Sequence, residues 1–95
     1  MFFSARVHPA ETPSSHVLNG ILDVLTNGKA HGQALLKNYV FMIIPLLNPD
    51  GVSRGYYRLD TYGNNLNRYY VDPSRERQPT IWGTKAVIEQ IHSLG

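Results

Sequence analysis

Tyr39-Val40-Phe41-Met42-Ile43-Ile44-Pro45-Leu46-Leu47 is a nearly continuous apolar run rich in β-branched and aromatic side chains, closed by four turn formers, Asn48-Pro49-Asp50-Gly51. A run without polar alternation predicts a β-strand covered on both faces, the pattern of parallel sheets. Upstream, residues 2–8 read as a second buried strand, which stops where Pro9 removes a backbone donor. Between the two, Val17, Leu18, Ile21, Leu22 and Leu25 recur at helical spacing. They predict a helix over residues 13–26, with Thr12 as its cap, Pro13 in its first position and Asn27-Gly28 as its stop. Lys29 to Lys37 reads as a polar link with one helical turn at Gln33–Lys37. Downstream, Val52 to Arg77 has no sustained period, and so long an irregular segment tends to be functional. Pro79 opens a last helix with Ile81, Trp82, Val87, Ile88 and Ile91 on its apolar side. Strand, helix, strand, long loop, helix is the order of an α/β fold whose strands pair in parallel through a right-handed crossover.

With 95 residues the chain is one small domain at most, and only a small core is expected. A hydrophobic fraction of 42% and a charged fraction of 17% place it among globular chains. The net charge of +2 is scattered, so no basic stripe points to nucleic acid or a membrane surface. There is no cysteine, hence neither disulfides nor thiolate ligands. The apolar run at the N-terminus is too short for a signal peptide or a bilayer span, which makes the cytoplasm the expected compartment. A strand that starts at residue 2 and a helix that runs to Gly95 read as a piece of something longer.

In open α/β sheets ligands gather at the carboxyl ends of strands, where both His8–Glu11 and the Asn48–Arg68 segment begin. An imidazole and a carboxylate three residues apart across a strand-to-helix turn can face one zinc ion. Two ligands do not make a site, since catalytic zinc takes three protein groups and an open position. On spacing alone the favoured reading is the structural one, a strand-end histidine followed by a glutamate placed at a helix N-terminus by the macrodipole. In the second segment, Arg54, Arg58 and Asn67-Arg68 offer guanidinium forks and an amide, which suit a carboxylate ligand. The alternative has Arg54 and Arg58 paired with Asp50 and Asp60 on a solvated loop. Tyr56, Tyr57, Tyr62, Tyr69 and Tyr70 are expected to pack that loop on the body rather than to act chemically.

Four stretches in order resemble the zinc carboxypeptidases (peptidase M14), and among them the cytosolic carboxypeptidases that trim glutamates from tubulin and other acidic tails. These are Ala5-Arg6-Val7-His8-Pro9-Ala10-Glu11-Thr12-Pro13-Ser14-Ser15, Pro45-Leu46-Leu47-Asn48-Pro49-Asp50-Gly51-Val52, Arg54-Gly55-Tyr56-Tyr57-Arg58 and Gly63-Asn64-Asn65-Leu66-Asn67-Arg68. The wording of the last two is most similar to the branch that removes branch-point glutamates. The resemblance implies residues 1–95 as a partial catalytic domain of a three-layer α/β/α fold. It implies His8 and Glu11 as the first two zinc ligands and Arg58 as the arginine that polarises the scissile carbonyl. Asn67 and Arg68 are then the pair that holds a terminal carboxylate. The third ligand and the general-base glutamate of the family have no counterpart here, and His16, His31 and His92 stand in the wrong contexts. Ala10 stands where the family usually has glycine, so the turn has to accept a Cβ. A different class, a truncated carboxylate-binding module without catalysis, shares the same Arg58, Asn67 and Arg68.

Overall fold

Two short strands, β1 (Phe2–Ser4) and β2 (Met42–Ile44), pair in parallel, with Phe2 opposite Met42, Phe3 opposite Ile43 and Ser4 opposite Ile44. This is a computed structural model that describes residues 1–95. Each strand has three residues, far fewer than the apolar runs around it. β1 gives way two residues before Arg6, whose backbone turns to φ 56°, and Pro45 follows β2 directly without a donor. Association of the two segments continues irregularly beyond the strands. The Ala5 N–H donates to the Ile44 carbonyl at 3.0 Å, and the N–H groups of Leu47 and Asn48 donate to the carbonyls of Ala5 and Arg6 at 3.0 and 3.1 Å. The expected cover on both faces of β2 is not present: Met42 is exposed and Ile43 and Ile44 are half-buried. A sheet of two strands has too little surface of its own to bury them.

Helix α1 (Thr12–Thr26) buries Leu18 and Leu25 and half-buries Ile21 and Leu22, as its spacing predicts, but leaves Val17 of the same set exposed. Thr12 is not its cap, because the helix starts one residue earlier than expected. Glu11 holds the cap position, and the Ser14 hydroxyl donates to its carbonyl at 2.7 Å. The polar link is a nine-residue helix, α2 (Ala30–Asn38), and not a single turn. Its apolar stripe is too weak to announce it; close packing on α1 supports it. A Cβ on Gly32 would collide with the Val24 carbonyl oxygen, so only glycine lets the two helices approach this closely.

The core is small and lies beside the site. Leu47, Leu66 and Ile81 are buried together, with Val7, Ile44, Tyr69 and Tyr70 packed against them. Burial pushes the Tyr70 phenol above its ordinary pKa. Tyr69 and Tyr70 thus do anchor the long segment, whereas Tyr56, Tyr57 and Tyr62 are exposed and do not. After β2 come a short helix, α3 (Pro49–Ser53), a single 3-10 turn (Leu66–Arg68) and α4 (Pro79–Leu94). On α4 only Ile81 and Thr84 are buried; Trp82, Ile88 and Ile91 face outward, with the Arg75 guanidinium 5.2 Å above the Trp82 ring. No helix is long and apolar enough to cross a membrane.

Candidate metal and carboxylate site

The turn from Arg6 to Glu11 joins the end of the sheet to α1 and presents two side chains to one point. His8 is buried, Glu11 is largely exposed, and Nδ1 of the ring lies 2.9 Å from Glu11 Oε1. The Glu11 N–H donates to the His8 carbonyl at 3.2 Å, closing the turn between them. Ala10 carries its Cβ at no conformational cost, since Arg6 is the only non-glycine residue at positive φ.

The other ring nitrogen has a partner of its own. His8 Nε2 lies 2.9 Å from Asn65 Oδ1, which also accepts the Asn67 N–H at 3.1 Å. An oxygen that accepts a backbone N–H is thereby identified as the amide's oxygen, so Nε2 carries the proton and donates it. In the neutral ring Nδ1 is then a lone pair directed at a carboxylate oxygen. Two acceptors at 2.9 Å repel unless a cation, a proton or a metal ion, lies between them. The set fits zinc, which takes imidazole nitrogen and carboxylate oxygen at about 2.0 to 2.2 Å and favours a histidine held through its second nitrogen. No third histidine or acidic side chain joins them: the chain contains no group of three such residues.

Further contacts shape the long segment and seat it against this turn. The Ala10 N–H donates to the Tyr57 carbonyl at 3.0 Å, which puts Arg58 next to the ligand turn. Asn48, buried, accepts the Gly51 N–H at 3.0 Å and donates to the Leu59 carbonyl at 3.1 Å. A Cβ on Gly51 would lie 2.6 Å from Pro9 Cγ, so glycine is required where α3 touches the turn. Asp60, buried, accepts the N–H groups of Tyr62 and Asn64 at 2.9 and 2.8 Å and shapes the bend that delivers Asn65. Asp50 and Asp60 form no ion pair with Arg54 or Arg58. Arg58, Asn67 and Arg68 are exposed, and no acidic side chain neutralises either arginine.

Asn65 and Arg6 are the structural discoveries of the site. Asn65 lies 57 positions from His8 in sequence, and its type alone gives no sign of the contact. Arg6 spends about 1–2 kcal/mol on a left-handed backbone, a cost that only surrounding contacts offset.

A model of the zinc carboxypeptidase family (peptidase M14) matches residues 1–92. The human cytosolic carboxypeptidase-like protein 5 is 52% identical over 95 residues, covering 97% of this chain and 11% of the human protein. Among solved structures, a metallo-carboxypeptidase from Burkholderia cenocepacia superposes with a TM-score of 0.83 at 29% identity, covering 99% of this chain and 25% of that one. A metallo-carboxypeptidase from Pseudomonas aeruginosa, solved in complex with (2-guanidinoethylmercapto)succinic acid, gives 0.85 at 26%, covering 95% and 24%. The fold is therefore part of the α/β zinc-carboxypeptidase fold, and the chain spans about a tenth of the human relative and a quarter of the two solved chains.

Proposed function

The chain belongs to the zinc carboxypeptidase family, and from that premise we propose that it is part of a metallocarboxypeptidase of the cytoplasm that removes C-terminal or branch-point glutamates from acidic protein tails such as those of tubulin. The observation that carries this reading is the buried His8, its Nε2 engaged by Asn65 and its Nδ1 turned to Glu11 at 2.9 Å. The cytosolic name of the human relative supports the compartment, and the succinic acid derivative in the Pseudomonas structure supports a carboxylate-binding site.

His8 and Glu11 would hold the zinc ion, with one more protein ligand from outside these residues. When bound, zinc supplies Lewis-acid activation of water and of the peptide carbonyl. Asn65 keeps the His8 ring in the tautomer that leaves Nδ1 free for a metal. Arg58 would donate to the scissile carbonyl as negative charge develops there. Asn67 and Arg68 would receive the terminal carboxylate, the guanidinium through its planar fork. That requirement for a free terminus makes the reaction exopeptidic.

Two measurements on the chain test these roles. Zinc binding read by chelator competition should shift the His8 ring resonances of the wild type and be abolished by His8→Ala; zinc binding indifferent to that substitution would remove the metal role. A peptide ending in a free glutamate should bind better than its amidated form, and Arg68→Ala should weaken the free peptide about tenfold, within the worth of a charged hydrogen bond. Equal binding of the two peptides would remove the clamp. The chain by itself should release no glutamate, since it lacks a third ligand and a general base.

A further inference from the structure

We propose that Arg6 is a positioning residue for the metal-ligand turn, an inference that rests on the zinc reading of His8 and Glu11. Arg6 is the one non-glycine residue with positive φ, 56°. An arginine adopts that backbone only where its surroundings over-determine it, and such residues collect where a geometry has to be held. Here the guanidinium folds back across the turn. Nε and Nη2 both donate to the Pro9 carbonyl oxygen, at 3.0 and 2.6 Å, and Nη1 donates to Ser15 Oγ at 3.1 Å. The Arg6 N–H donates to Ser14 Oγ at 3.3 Å, and the Arg6 carbonyl accepts the Asn48 N–H at 3.1 Å.

These contacts converge on the peptide between the ligands. Pro9 follows His8 directly, and its carbonyl sets where the chain runs to Glu11. Ser14 and Ser15 lie in the first turn of α1, whose cap position is Glu11. The guanidinium thus ties the segment before His8 to the carbonyl after it and to the helix after Glu11. Those are the three placements that fix how far Nδ1 stands from Oε1. Only a planar fork can grip one oxygen through two N–H groups while a third reaches a hydroxyl; a lysine ammonium is a point donor on a flexible stem. Every side-chain hydrogen bond of Arg6 falls within residues 9–15, and Arg6 is not among the residues of the core cluster, so its side chain acts on the turn.

The test uses the full chain with three variants. Arg6→Lys keeps the charge and loses the fork, Arg6→Gly removes the side chain and relieves the backbone, and Ser15→Ala removes one contact. The zinc dissociation constant is read by chelator competition, and the His8 ring nitrogen resonances are read in the metal-free chain. Arg6→Lys and Arg6→Gly should each weaken zinc by about tenfold, the lower end of the loss for a direct outer partner of a ligand because Arg6 acts through the backbone of the turn, and should move the His8 resonances. Ser15→Ala should do so less. Wild-type zinc affinity and unmoved His8 resonances in Arg6→Lys, even with a lowered melting temperature, would reduce Arg6 to a structural residue and overturn the proposal alone. Absence of any His8-dependent zinc binding in the wild type would overturn the zinc reading and this proposal with it.

Discussion

The His8–Glu11 turn with its seated loop and the outer faces of the sheet and α4 are opposite in how well they are satisfied. Around the turn, buried Asn48, Asp60 and His8 all have partners, and no buried side-chain polar atom in the chain is left without one. On the outer faces, Val40, Met42, Ile88 and Ile91 are exposed together with Met1, lining an apolar groove between β2 and α4. The site is specified by hydrogen bonds among residues of this chain, which are short-ranged and directional. The sheet depends on burial, which needs area that these residues do not supply.

That contrast orders the expected effects. Leu47→Ala should be the largest: Leu47 is buried between both regions, and a leucine truncated in a core costs about 2–5 kcal/mol, a large part of any small domain's stability. Urea unfolding reads it, and a loss below about 1 kcal/mol would show that the small core does not support the site. Next is Asn65→Ala, which should lower zinc affinity about 10- to 100-fold by freeing the His8 ring, with far less effect on unfolding. An unchanged zinc constant would deny Asn65 its role. Smallest is the pair Ile88→Gln and Ile91→Gln on α4, each expected within about 0.5 kcal/mol of wild type because both side chains already face water. A loss above about 2 kcal/mol in the same urea experiment would mean that this face is covered in solution, and the two regions would then not differ as described.

How much could be read in advance follows the range of each interaction. α1 was visible because Leu18 and Leu25 repeat at the helical period, a local signal that survives without neighbours. α2 is longer than its own sequence announces because its support is the contact at Gly32 with another helix. The strands are shorter than their apolar runs for the converse reason: such runs announce burial, but a strand ends where its partner or its φ ends, here near Arg6 and Pro45. Pairing of Arg54 and Arg58 with nearby aspartates was plausible by proximity in sequence. Neither pair forms; Asp60 is buried with one carboxylate oxygen engaged by the backbone of its own bend, whereas Arg54 and Arg58 are exposed.

From the sequence alone came the α/β order of elements, the parallel pairing, the two metal-ligand candidates on one turn and the arginine-rich segment at the same sheet edge, because composition and spacing encode them locally. The tertiary structure decided what those residues can do together. Asn65 meets the ring of a histidine 57 positions away, Gly51 lets α3 meet Pro9, and Arg6 accepts an unfavourable backbone to grip the turn. Each of these depends on atoms brought within hydrogen-bond or van der Waals distance by the fold, and no spacing along the chain records such distances.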